Sequence, residues 1–197
     1  MFIELTDQLR CPSDHEEAFL VLLPDQVLER SVRSGELGCP VCGRTFQLQD
    51  GVLDVGGGEP PGGVDPTTEL APPALTALVG LSGPGGYLVV VGAPGSGWRE
   101  IRELNPGVGL IAVNPPADVL DAGLLSVVRG GMLPLRTRTM RGAVLGRGFG
   151  SNRRWVEEAS RVVLPGLHIV GEGPLAFSSP IELLASTGNV WVGTPRR

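Results

Sequence analysis

The chain has 197 residues, 42% of them hydrophobic, with 16 arginines, no lysine and a net charge of −5. That is enough apolar material for a core, in one large domain or two small ones, and the acidity speaks against a protein that coats nucleic acid. No apolar run approaches the roughly 18 residues needed to cross a bilayer, and Met1–Arg10 carries acids where a signal peptide needs an apolar stretch. The expected location is therefore the cytoplasm, with no membrane partner.

The charge is uneven: residues 1–82 hold 13 acids and 4 arginines, residues 83–197 hold 8 acids and 12 arginines. All three cysteines lie in the first 42 residues, and an odd number fits metal binding better than a disulfide framework.

Residues 1–55 read as one unit. Cys39-Pro40-Val41-Cys42-Gly43 is a knuckle in which two thiolates three residues apart can grip one tetrahedral ion, with Gly43 permitting the close turn. The other half-site is sought upstream, where Cys11-Pro12-Ser13-Asp14-His15 offers one thiol and two further donors. Imidazole is the more usual companion of thiolates, so His15 is preferred to Asp14. The expected zinc ligands are Cys11, His15, Cys39 and Cys42. The competing reading is an empty site whose cysteines serve as small buried apolar residues.

Gly56 to about Pro73, rich in Gly and Pro, reads as a linker. Beyond it the apolar segments alternate in type. Helices are expected at 74–81, 98–104, 117–122, 152–164 (with Ser151 as N-cap) and 181–185. Strands are expected at 87–91, 109–113, 124–128, 143–145, 167–170 and 190–192. Alternating strands and helices imply a Rossmann-like, doubly wound and mostly parallel sheet covered on both faces. Val91-Gly92-Ala93-Pro94-Gly95-Ser96-Gly97 is a strand entering a Gly-rich turn ahead of a helix. Glycines there let backbone approach a ligand, or simply make a tight turn.

Two resemblances follow from these residues. Leu9–Pro12, Gly38–Phe46 and Asp50–Leu53 resemble the small zinc-ribbon activator subunits of tRNA and release-factor methyltransferases. These modules have no activity of their own and bind methyltransferase domains through their strands. The departure is Asp14, where the family has Cys. Residues 74–193 resemble a shortened class I S-adenosylmethionine-dependent methyltransferase domain, most specifically at Val156–Leu167. The resemblance implies an S-adenosylmethionine crevice beside Gly92, Gly95 and Gly97, with Asn114 at the ribose. Four carboxylates that the family uses are absent together: their places are held by Val90, Asn114, Gly131 and Gly142. The implied helix and hairpin after the fifth strand are not both found; one helix and one strand are placed there. Val113-Asn114-Pro115-Pro116 looks like a catalytic motif of the family but follows the second strand, not the fourth.

No catalytic residue is assigned. Seven arginines from Arg129 to Arg154 with no acid among them offer an anion-binding face, for RNA phosphate or for the acidic N-terminal half. A solvated surface is the favoured reading. Trp98, Trp155 and Trp191 are expected to pack, as is His168. The expected function is a non-catalytic binding or regulatory module with a decayed cofactor site, working with a methyltransferase subunit or as a homodimer. The alternative is an active methyltransferase with a divergent site, acting on RNA.

Overall fold

The computed structural model describes residues 1–56, 67–120, 123–175 and 180–196. Residues 57–66, which hold most of the expected linker, lie outside them.

After a 3-10 helix at Ile3–Gln8, the N-terminal part folds as an antiparallel meander of β1 (Val21–Leu28), β2 (Ser31–Gly38), β3 (Thr45–Gln49) and β4 (Val52–Asp54). The turn between β3 and β4 is Asp50-Gly51, both at positive φ, the conformation that suits right-twisted hairpins. Phe46 and Leu48 of β3 face the core and the polar residues between them face water.

The remainder comprises α1 (Pro72–Val79), β5 (Tyr87–Val91), α2 (Trp98–Leu104), β6 (Gly109–Val113), β7 (Ser126–Arg129), β8 (Gly142–Leu145), α3 (Arg153–Val162), β9 (Ile169–Glu172), β10 (Ile181–Thr187) and β11 (Val190–Pro195). Pro72 opens α1, where its missing N–H has no partner to lose, and Gly80 closes it in the left-handed conformation. All strands join one sheet in the order β1-β2-β3-β4-β7-β6-β5-β8-β9-β11-β10. The five strands β7-β6-β5-β8-β9 are mutually parallel. Strand order reverses between β5 and β8, which makes the carboxyl ends of those two strands the place where open α/β sheets bind ligands.

The two parts of the chain meet at β4 and β7, which run parallel with Leu53 beside Val128. Around that seam the Arg10 N–H donates to the Pro134 carbonyl (3.0 Å) and the Arg136 N–H to the Gln8 carbonyl (2.9 Å). Arg161 pairs with Glu158 at 2.7 Å and donates to the carbonyls of Leu133 and Leu135, while Glu17 accepts from the Thr137 hydroxyl at 2.7 Å. One core face mixes Leu5, Leu37 and Leu53 with Val128, Leu135 and Trp155. The opposite face packs α1 and α2, through Leu75, Trp98 and Ile101, on Leu88, Val90 and Val144. α3 covers the first face with Trp155, Val156, Ala159 and Val162. All three tryptophans are buried.

Several expectations need correction. The sheet is mixed, not mostly parallel, because the meander and the β9-β11-β10 edge are antiparallel. Residues 181–185 are strand, not helix. β10 is an edge strand exposed on both faces after Ile181, so it carries no period-2 alternation, and its Gly188-Asn189 turn is the hairpin signal that identifies it. The hairpin implied by the methyltransferase resemblance is thus present. Ala117 and Asp118 form a turn after Pro115-Pro116, and the helix expected there has its last residues, 121 and 122, outside the described set. The N-cap of α3 is Asn152, not Ser151: its side chain accepts from the N–H groups of Arg154 and Trp155. β7 and β9 each begin two residues later than expected, so His168 precedes β9 and contacts the Leu78 carbonyl through Nδ1 (3.0 Å).

Because the core is shared, unfolding is expected to be one transition. The three tryptophans report only on the C-terminal part, yet Leu53→Ala in β4 should lower the tryptophan-detected urea midpoint, with a loss of about 2–5 kcal/mol. An unchanged tryptophan transition would mean that the two parts unfold independently.

Candidate metal centre and the crevice at the strand ends

The sequence-expected ligands Cys11, His15, Cys39 and Cys42 come together: their ligand atoms all lie within 4.8 Å of one another. Cys11 Sγ is 3.7 Å from Cys42 Sγ, and Cys39 Sγ is 3.4 Å from His15 Nε2. A tetrahedral zinc ion with bonds of about 2.3 Å to sulfur and about 2.0 Å to nitrogen sets sulfur–sulfur edges near ~3.8 Å and sulfur–nitrogen edges near ~3.5 Å. The Cys11–Cys42 and Cys39–His15 edges match that polyhedron, and the remaining separations stay within 4.8 Å. Asp14 is not among the grouped atoms, so of the two donors weighed, His15 is the one the backbone delivers.

Local structure explains the delivery. The Gly43 N–H donates to the Cys39 carbonyl (2.9 Å) and the Cys39 N–H to the Arg44 carbonyl (2.8 Å), closing the knuckle at the end of β2. The facing loop is held by the Cys11 N–H bond to the Ala18 carbonyl (2.9 Å). His15 Nδ1 lies 2.6 Å from the Glu16 carbonyl. A carbonyl can only accept, so Nδ1 carries the proton and Nε2 presents its lone pair toward Cys39. The Arg44 backbone N–H, aided by Ser13, His15 and Cys39, holds the exposed Cys42 thiol down at about 6, so it is largely thiolate at neutral pH. Burial pushes the Cys11 thiol up. The His15 imidazole is raised, first by its bond to the Glu16 carbonyl and then by Cys42.

The glycine turn follows β5 as a 3-10 turn, Ala93–Gly97, leading into α2. Gly92 sits at φ 78°, ψ −145°, a conformation open only to glycine. Its open face is taken by this chain: a Cβ there would lie 2.7 Å from the ring of Phe149. Phe149 is fully buried and meets Trp155 edge-on at 4.9 Å. A Cβ on Gly95 would come within 3.1 Å of Pro115, and one on Gly97 within 2.7 Å of Pro72. Phe149 comes from the loop after β8, so it occupies the point where strand order reverses.

Asn114 is buried, and both polar atoms of its side chain are engaged. Nδ2 donates to the Gly130 carbonyl at 2.7 Å, and Oδ1 accepts from the Gly130 N–H at 3.0 Å. The other three positions where the resemblance implies a carboxylate hold small or apolar groups. Val90 is in the core, Gly131 donates to the Gly56 carbonyl, and a Cβ on Gly142 would strike Val79 at 2.7 Å.

Sequence reading missed Glu172, the last residue of β9. It is 1% exposed, and its carboxylate accepts from the Thr68 hydroxyl (2.9 Å) and from the N–H groups of Glu69 (2.5 Å) and Arg147 (2.9 Å). Glu69 in turn pairs with Arg147 at 2.5 Å. Residues 67–70 thereby lie across the strand ends, with Leu70 buried among α1 and α2. The available signal was an acid ending an apolar strand, since a buried carboxylate must be hydrogen-bonded.

No protein-family model matches the sequence, and no curated protein matches it. Solved structures similar to the chain are methyltransferases. A putative methyltransferase from an antibiotic biosynthesis pathway of Anabaena variabilis aligns at TM-score 0.41 and 20% identity, over 51% of this chain and 43% of that one. A putative S-adenosyl-L-methionine-dependent methyltransferase from Methanococcus maripaludis aligns at TM-score 0.48 and 11% identity, over 64% and 84%. The complex between the Haloferax volcanii Trm112 methyltransferase activator and the putative methyltransferase aligns at TM-score 0.39 and 23% identity, over 50% and 49%. The chain thus spans less than half the length of the Anabaena and Haloferax chains. These likenesses concern architecture and assign no site residue.

Two outcomes are expected. The purified protein should bind one equivalent of Co²⁺ with the visible absorption of a tetrahedral thiolate site, lost in Cys39→Ser and in His15→Ala but kept in Asp14→Ala; retention in Cys39→Ser would contradict the ligand set. Glu172→Gln should cost about 1–3 kcal/mol in urea unfolding, because its NH₂ group would face a donor.

Proposed function

We propose that this chain is a non-catalytic, methyltransferase-like binding or regulatory module of the cytoplasm, carrying a zinc-ribbon-like unit in cis. In this reading residues 1–55 are the ribbon-like module, 56–73 its connection, and 74–197 the methyltransferase-like domain. The observation that carries it is Phe149, packed on Gly92 where a cofactor would have to lie. Asn114, the one polar candidate for the ribose, has both side-chain atoms committed to Gly130. Each charge-assisted bond lost from a nucleoside site removes about 1.5–3 kcal/mol, so losing several weakens a micromolar ligand by orders of magnitude.

The zinc-ribbon role follows the same logic. Activator modules bind methyltransferase domains through their strands, and here β4 runs alongside β7 of the same chain. Zinc held by Cys11, His15, Cys39 and Cys42 would fix the loops that pack Leu9 and Leu37 into the shared core. The module's partner would be a methyltransferase subunit or a second copy of this chain. RNA is not favoured, because the arginine run is dispersed. Arg141 caps carbonyls of residues 82–85, Arg147 pairs with Glu69, Arg153 with Glu157, and Arg136 stacks on Phe19. The alternative, an active S-adenosylmethionine-dependent methyltransferase, draws its support from the glycine turn at the strand-order reversal.

Isothermal titration with S-adenosylmethionine and S-adenosylhomocysteine separates the two. No saturation at millimolar ligand is expected; a dissociation constant below about 50 μM for either would overturn the non-catalytic reading.

A further inference from the structure

At the opposite end of the sheet from the glycine turn lies a cavity that neither reading uses. It has a volume of about 380 Å³ and is lined by Arg138, Ser160, Val163, Pro165, Pro195 and Arg196. We propose that this cavity binds the phosphate group of a small anionic molecule between Arg138 and Arg196.

The charge is the first argument. Two guanidinium groups share one cavity, and among the described residues no acid lines it. Neither arginine makes an ion pair with a described acid, unlike Arg147, Arg153 and Arg161. A pair of guanidinium groups suits the two charges of a phosphate dianion, whereas a monocarboxylate would answer only one.

The second argument is backbone geometry. Arg138 sits at φ 55°, in the left-handed region that long side chains rarely adopt. It is held there by its N–H bond to the Arg161 carbonyl (2.9 Å) and by the neighbouring bonds of Thr139 and Met140 to the Val162 carbonyl (both 2.9 Å). Glycine would serve that turn with less strain, so the arginine side chain is what the position retains. Arg196 is anchored differently. Its backbone N–H donates to the Pro180 carbonyl (2.8 Å) and its Nε to the Ile181 carbonyl (3.1 Å), which fixes the guanidinium through one edge and leaves its terminal nitrogens to a ligand. The Ser160 hydroxyl donates to the Pro180 carbonyl (3.3 Å), which holds that side chain at the cavity's edge.

The third argument is shape. The volume falls in the range of small-molecule sites, and Val163, Pro165 and Pro195 supply an apolar wall beside the charged pair.

The test is an NMR titration of the full-length protein at constant ionic strength with inorganic phosphate, ribose 5-phosphate and acetate. Saturable amide shifts are expected at Arg138, Ser160 and Arg196 for the phosphates, with affinity for acetate at least about tenfold weaker. Tighter binding of ribose 5-phosphate identifies a monoester as the occupant, and equal or tighter binding of inorganic phosphate identifies the free ion; either supports the site. Arg138→Gly, which relieves the backbone and so keeps the fold, should weaken binding about tenfold or more, as should Arg196→Ala. Arg154→Ala, at the far end of α3, should leave it unchanged. Absence of saturation by about 20 mM phosphate, equal loss in Arg154→Ala, or undiminished binding by Arg138→Gly would overturn the proposal.

Discussion

The contact between Phe149 and Gly92 governs the carboxyl end of this sheet. Glycine turns in doubly wound folds leave backbone bare so that a ligand can approach it. Here the bare backbone is covered by an aromatic ring from the loop after the neighbouring strand, and that ring is locked by Trp155 behind it. Once Phe149 is inside, the loop must stay pressed onto the turn. Pro94 packs against Gly146, the Arg147 N–H reaches Glu172, and Glu172 draws residues 68 and 69 across the strand ends. The turn at the strand-order reversal is a closed piece of core.

Asn114 shows how the same region serves a different purpose. Its side chain clasps Gly130, and a Cβ on Gly130 would overlap Val55, the residue that follows β4. The clasp therefore sits at the seam where the N-terminal meander joins the α/β strands. An amide suits that place, because it must both donate and accept; a carboxylate would bring a charge and lose the donor. Asn114 thus helps to attach the meander. The turn between β2 and β3 and the loop ahead of β1 carry the thiol and imidazole groups.

Much of this was legible in the sequence, and the failures have physical causes. The buried parallel strands at 87–91 and 109–113 were evident because central strands covered on both faces are continuously apolar. The grouping of Cys11, His15, Cys39 and Cys42 was foreshadowed because Cys39-x-x-Cys42 fixes one half and Cys11 with His15 or Asp14 offered the other. The strand at 181–187 was misread because an edge strand exposed on both faces has no alternation, and Leu183 with Leu184 mimics a helical stripe. Phe149 was invisible for another reason. Its role depends on which loops meet at the strand-order reversal, a tertiary fact that no local pattern encodes. The arginine run illustrates the converse: continuous in sequence, it scatters in space onto carbonyls, carboxylates and an aromatic ring.

In the proposed non-catalytic reading the space above Gly92 belongs to Phe149 and to no cofactor. That reading is tested most directly by a crystal structure of the protein grown in about 10 mM S-adenosylhomocysteine, a concentration that would fill any site of millimolar affinity or better. The Phe149 ring is expected in contact with Gly92, with no adenosyl density beside the turn. Density for the nucleoside against Gly92, with Phe149 turned outward, would contradict it.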